Sequence, residues 1–233
     1  MIVTESGESE SQKAIFAMFQ SIGKREHQED CFGQVKGECF MIADGIGGGP
    51  NGEVAARIAV EQACLTYKVL HIRLFYHEAK GHLVGQVFKN ALRAVSREQK
   101  NYPGMGTTLV GGCVGVKGVW IGNSGDSRAY LLHEGMLKQI TTDHEDSEGR
   151  ITQWAGKEKA VFDQFDNPFV RGDILLLTTD GLFLGLTDLE IQKILLTSGN
   201  TKESLEKTAR TLVEESLKKD GRDNITVCLV RKM

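Results

Sequence analysis

The stretch TTLVGGCVGVKGVWIGNSGDSRAYLLHEGMLKQI, residues 107–140, decides the architecture. Its short runs, Thr107–Val116, Val119–Gly122, Arg128–Leu132 and Met136–Ile140, are rich in Val, Ile, Thr and Tyr. Lys117-Gly118, Asn123-Ser124-Gly125 and Glu134-Gly135 separate them, so they read as an antiparallel meander. Upstream, Lys13–Gln20 and Glu38–Ala43 are two further strand candidates. Apolar residues at helical spacing predict helices over Glu53–Val69 and His82–Lys100, the second broken by Pro103-Gly104. Downstream come a strand at Asp173–Thr179, a capping box Thr187-x-x-Glu190 opening a helix to Leu196, an amphipathic helix at Thr201–Lys219 and a strand at Ile225–Arg231. Strands and helices fall in segregated blocks, which predicts an α+β fold of antiparallel sheets covered by helix pairs.

Composition narrows the class. The 233 residues are 40% hydrophobic and 25% charged, ordinary for a globular chain and unlike disorder or coiled coil. A net charge of −3 offers no basic field for nucleic acid or an anionic membrane. Glycine is abundant, at 27, and proline scarce, at 3, which suggests tight turns within one ordered domain. No Pro/Ser-rich linker interrupts it, so a polar tail over residues 1–12 and a single domain over 13–233 are expected. The five cysteines contain no CxxC, and four lie in or beside apolar runs; buried free thiols of a reducing compartment are the reading. The first residues show no basic region followed by an apolar stretch, and no run nears the roughly 18 apolar residues that span a membrane. A cytoplasmic location is the expectation.

Certain acidic residues stand out. Asp44 ends an apolar strand and precedes Gly45, and Asp180 ends LLLTT before Gly181. Asp126 lies between a glycine turn and a strand, Asp223 precedes the last strand, and Glu29-Asp30 follow the first. One such aspartate is explained by capping the next turn. Five at strand ends call for more, because each buried carboxylate costs several kcal/mol to desolvate without a compensating cation. Oxygen-only ligands favour hard cations, so a carboxylate-lined, binuclear Mg²⁺ or Mn²⁺ site is expected. The flanking glycines would let backbone and carboxylates crowd together where a Cβ would interfere.

These residues fall into ordered motifs: Arg25-Glu26-His27-Gln28-Glu29-Asp30, Asp44-Gly45-Ile46-Gly47-Gly48, Gly106-Thr107-Thr108, Gly125-Asp126-Ser127-Arg128, Thr141-Thr142-Asp143-His144, Thr179-Asp180-Gly181 and Asp223-Asn224-Ile225-Thr226. On them the chain resembles the metal-dependent protein serine/threonine phosphatases of the PPM (protein phosphatase 2C) type, in compact bacterial form, from about Ile15 to Val230. The resemblance implies a four-layer α-β-β-α sandwich with a two-metal centre at one edge. It implies that Asp44 bridges two ions, that the Gly45 carbonyl ligates the second, and that Asp180 and Asp223 hold the first. Glu29 and Asp30 would lie near the second ion, one of them through water, and Asp126 with Asp180 would form a third, weaker position. Arg25 is the implied phosphate-binding residue; an ion pair with Glu29 or Asp30 is its plain alternative. Arg25, Asp44, Asp180 and Asp223 are thus the catalytic candidates. Two ions roughly 3.5–4 Å apart would activate a water for direct attack on phosphorus. The implied substrate is a phosphorylated protein, with a Ser/Thr kinase or its target as partner, no nucleic acid or membrane, and a monomeric state.

Some positions depart from the family pattern. Gln28 and Thr179 stand where Asn and Ser are usual, and Ile46 fills the variable position where eukaryotic members carry a histidine. His144 and His27 are read as a structural buttress and a surface residue, and Trp154 as a packing residue. The segment Glu145–Arg150 is short where a longer flap is usual, which implies an open site for a protein-sized substrate and puts the third ion in doubt. Two rivals remain. Gly47-x-Gly49-x-x-Gly52 matches a dinucleotide fingerprint but follows an acidic strand end in a chain without βαβ repeats. A phosphoprotein-binding pseudophosphatase would need a missing aspartate, and none is missing.

Overall fold

The computed structural model describes residues 2–9, 13–46, 51–71 and 79–233. Six antiparallel strands form one sheet: β1 (Ile2–Ser9), β2 (Ala14–Ser21), β7 (Arg128–His133), β8 (Met136–Gln139), β10 (Ile174–Thr178) and β11 (Ile225–Lys232), in the order β1-β2-β11-β10-β7-β8. Five form the other: β3 (Asp30–Val35), β4 (Cys39–Asp44), β5 (Leu109–Val114), β6 (Gly118–Ser124) and β9 (Asp163–Pro168), in the order β3-β4-β5-β6-β9. Helices α1 (Gly52–His71) and α2 (Ala79–Glu98) cover the five-stranded sheet. Helices α3 (Asp180–Gly185), α4 (Asp188–Leu196) and α5 (Lys202–Lys219) lie on the six-stranded one.

Continuous apolar strands make these layers possible. In β10, Leu175 and Leu177 point between the sheets and meet Phe16, Met18, Phe40, Ile42 and Val110. Ile174 and Leu176 point the other way, toward the helices, among Ile15, Phe19, Leu205 and Leu212. A strand buried on both faces cannot alternate with polar residues, which is why β2, β4, β10 and β11 read as unbroken apolar runs. The expected four-layer α+β sandwich is therefore the observed one, with three helices on one side instead of a pair. The capping box at Thr187 and Glu190 is present in full, and Thr201 caps α5.

Two expectations change. The runs within 107–140 are not one meander: β5 and β6 belong to one sheet, β7 and β8 to the other, and the chain crosses between them at Gly125–Ser127. Residues 2–9, expected within a polar tail, pair along their length with β2, from Ile2 opposite Ser21 to Ser9 opposite Ala14. An edge strand needs main-chain bonds on one side only, so polar side chains do not forbid it. The same holds for β9, whose sequence DQFDNP has little apolar signal and which pairs only with β6. No disulfide forms; Cys39, Cys113 and Cys228 are buried thiols and Cys31 and Cys64 are half-buried.

Truncating Leu177, fully buried between the sheets, tests this packing. Leu177→Ala should lower the unfolding free energy by about 2–5 kcal/mol, and Thr187→Ala by about 1 kcal/mol, each read from urea unfolding curves.

Candidate active site

The acidic positions gather at one end of both sheets. Asp44 closes β4, Asp30 opens β3, Asp126 lies in the crossing between β6 and β7, Asp180 opens α3 after β10, and Asp223 precedes β11. Asp44, Asp126, Asp180 and Asp223 line a cavity of about 410 Å³, together with Arg25 and the backbone of Gly45. Ile46, Thr108 and Ile151 complete its wall.

Local bonds hold these residues in place. The Asp44 amide donates to Thr108 Oγ1 at 3.0 Å, while the Asp44 carbonyl accepts from the Thr108 amide and from Thr107 Oγ1, both at 2.8 Å. The Thr108 hydroxyl also bonds Ser127 Oγ at 2.8 Å, tying the Asp44 strand to the crossing that carries Asp126. That crossing requires Gly125: its φ is +120°, and a Cβ there would lie 2.6 Å from Thr108. Gly45 is equally constrained, since a Cβ would come within 2.4 Å of the carbonyl carbon of Gly52 at the start of α1. Asn224 staples the loop before β3: its Oδ1 accepts from the Glu29 amide at 2.7 Å, and its Nδ2 donates to the carbonyls of Ile22 and His27.

The electrostatics are dominated by desolvation. Asp30 is buried, and one carboxylate oxygen accepts from Thr179 Oγ1 at 3.0 Å and from Thr226 Oγ1 at 2.6 Å. Burial nevertheless pushes it up to about 7. Asp44 lies opposite Asp30 across the strand pair and feels the charges of both Asp30 and Asp180. Burial, then the charges of Asp30 and Asp180, hold it well above the usual carboxylate range. Asp126 is pushed up to about 7 by burial and then by Asp180, and Asp180 to about 6 by burial and then by Asp223. Arg25 sits at the rim and pairs with Asp223 at 2.6 Å, not with Glu29 or Asp30.

The placement of the remaining candidates is mixed. Glu29 does not line the cavity; its carboxylate faces the start of α1 beside Gly52, and desolvation raises its pKa. Asp30 lies behind Asp44 and is its direct cross-strand partner. Residues 47–50, which hold most of the glycine cluster, lie outside the described residues. His144 is a buttress, as expected: its Nδ1 accepts from the Gly125 amide at 3.1 Å and its Nε2 faces Asp163 at 3.2 Å. His27 is exposed. Trp154 is half-buried and packs over Gly106. Gln28 keeps an amide function, accepting from the Asp30 amide at 3.1 Å.

Sequence reasoning assigned no role to Thr108, Ser127, Asn224, Thr226 or Gln20. Gln20 Nε2 donates to Thr226 Oγ1 at 3.0 Å and to the Asp30 carbonyl at 3.1 Å, bracing the same carboxylate from β2. All but Gln20 lie within the quoted motifs, so the available signal was a motif hydroxyl or amide beside a motif acid.

The comparisons with known proteins agree with this geometry. Residues 21–223 match the family model described as Protein phosphatase 2C. The chain belongs to the protein phosphatase 2C family. It is 32% identical to the serine/threonine phosphatase stp of Listeria monocytogenes over 89% of this chain and 91% of that one. The crystal structure of a bacterial serine phosphatase superposes with a TM-score of 0.84 at 28% identity, over 95% of this chain and 98% of that one. The catalytic domain of PstP, solved in complex with two manganese ions, matches in fold with a TM-score of 0.78 at 24% identity, over 99% of each chain. This protein phosphatase 2C member is a serine/threonine protein phosphatase, a metal-dependent hydrolase.

Its residues fit a hard cation. The donors are oxygens, and Asp30 Oδ1 and Asp180 Oδ1 are buried without a hydrogen-bond partner. Asp223 leans on Arg25. Among the described residues, no three carboxylate, imidazole or thiolate groups converge as a finished ligand shell.

A pH dependence follows for protein stripped of metal. Folded-state pKa values near 6–7 at Asp30, Asp126 and Asp180 exceed the unfolded value near 3.9, so the folded state binds more protons between them. The stability this contributes is full below about pH 4 and is lost as pH rises through about 7. In the presence of EDTA, the carboxylate cluster should make the melting temperature fall between pH 5 and pH 7.5. Adding Mn²⁺ at pH 7.5 should raise it, both by differential scanning fluorimetry.

Proposed function

We propose that this phosphatase hydrolyses phosphoserine and phosphothreonine on a protein substrate by direct attack of water on phosphorus. The observation that carries this reading is the cavity in which Asp44, Asp126, Asp180 and Asp223 crowd together beneath a single arginine. Asp44, the Gly45 carbonyl, Asp180 and Asp223 would hold two Mn²⁺ or Mg²⁺ ions, with Glu29 and Asp30 toward the second, and Asp126 with Asp180 would serve a third, weaker one. When bound, such ions acidify water and neutralise charge developing on the phosphoryl group.

The chain's own residues do the rest. Arg25 offers a planar fork of donors to the phosphate oxygens, a geometry lysine cannot copy. Its guanidinium rests on Asp223 at the cavity rim, so substrate phosphate and Asp223 compete for it, and a cation on Asp223 would free it. Ile46 and Ile151 give one side of the cavity an apolar surface that turns water away from the substrate side chain. None of the described lining residues is a histidine, so the leaving oxygen takes its proton from water. The site serves a cytoplasmic, monomeric enzyme that opposes a Ser/Thr kinase by acting on the kinase or on its target.

Hydrolysis of p-nitrophenyl phosphate and of a phosphothreonine peptide should require Mn²⁺ or Mg²⁺ and stop with EDTA. Asp44→Ala and Asp223→Ala should lose turnover by several decades, whereas Arg25→Ala should chiefly raise KM and retain Mn²⁺ binding. Near-normal turnover in Asp223→Ala would sink the assignment.

A further inference from the structure

At the end of the six-stranded sheet away from the acidic cavity, a second cavity of about 340 Å³ opens between the β7–β8 hairpin, the turn before β10 and the end of α4. Arg231 lines it from β11, six residues beyond Ile225 and so ~20 Å along the strand from the catalytic end. Strand alternation puts Arg231 on the helix-facing side with Ile225, Val227 and Leu229, where a further apolar residue would continue the stripe. Its cross-strand partners are Ile15 and Ile174. Its Nε is buried without an acceptor, and no acidic group offsets the desolvation that lowers its pKa. Arg231 is only half-buried and lines the cavity, so the rest of its guanidinium can offer donors to an oxyanion there.

The rest of the lining suits that ligand. Arg171, in the exposed turn, supplies a second guanidinium, and His133 a ring whose Nδ1 is held by Asp173 at 2.8 Å. Asp173 is already engaged, accepting from His133 and, at 2.9 Å, from the Val170 amide. Glu134, in the hairpin turn, is the opposing carboxylate left over. The carbonyls at the end of α4 do not confront the cavity unpaired: Ile194 O accepts from the Thr197 amide and Leu195 O from the Ser198 amide.

We infer that Arg231, Arg171 and His133 form a second oxyanion site, built for a phosphate group and separate from the catalytic cavity. Its occupant is either free inorganic phosphate, the product of the reaction, or a phosphate monoester on a protein; the two share the same tetrahedral oxyanion.

Titration of the EDTA-treated protein, followed by ¹H–¹⁵N NMR, tests the site. Inorganic phosphate is the first ligand and a phosphoserine peptide the second. Saturable shifts are expected at the Arg231 Nε–H and the amides of Gly172 and Asp173, independent of those around Arg25. Shifts with inorganic phosphate assign the free ion, and shifts with the peptide alone assign the protein-borne monoester. Arg231→Gln should abolish the Gly172 and Asp173 amide shifts while p-nitrophenyl phosphate turnover stays within about twofold of the parent. Arg171→Gln, on an exposed turn, should weaken binding without touching the sheet, so the test survives if Arg231→Gln fails to fold. No shift with either ligand, or shifts that persist undiminished in both variants, would overturn the inference.

Discussion

Asp30, Asp44 and Asp180 crowd three carboxyl groups at an end shared by both sheets, with Asp126 close by. Desolvation and like charge act in the same direction on every member of the group, and Arg25, at the rim, supplies a nearby positive charge. The fold tolerates this because the cost of the cluster is spread over a large core: three apolar layers, each continuous, fix the sheet ends that the acids occupy. The same crowding would suit the small, hard cations of the proposed site.

Backbone bonding turns crowding into geometry. Thr107 and Thr108 grip the main chain of Asp44, Ser127 links that grip to the crossing that carries Asp126, and Asn224 holds the loop that leads to Glu29 and Asp30. Thr179 and Thr226 steady the buried Asp30 carboxylate with hydroxyls, which can donate without adding charge. Acids alone at these positions would splay apart; neutral donors behind them keep each one aimed.

Much of this was readable from residue order. Apolar strands ending abruptly in Asp-Gly at Asp44 and Asp180 marked two corners of the cavity, and the capping box at Thr187 marked a helix start that the structure reproduces. The edge strands β1 and β9 were not readable, because a strand bonded on one side needs no apolar alternation. The division of residues 107–140 between two sheets was also hidden. Local turn chemistry at Asn123-Ser124-Gly125 is the same for a hairpin and for a crossing, and only the long-range pairing, β6 with β5 and β9 and β7 with β8 and β10, distinguishes them. The supporting role of Gln20 lay furthest from view, since its bond to Thr226 spans 206 positions.

That long span has a consequence for the order in which the protein is made. Strand β11 lies in the middle of the six-stranded sheet, between β2 and β10, although it is the last element in the chain. The sheet therefore stays split until residues 225–232 arrive, and Asp223 and Thr226 reach Asp30 only then. Contacts of such separation close late in folding. Asp223 is thus kept away from Asp30 and Asp180 during most of synthesis, and its repulsion with them is met only at the final docking step. A nascent chain lacking its last strand has no assembled phosphatase site, so hydrolytic activity reports that both sheets are complete and joined.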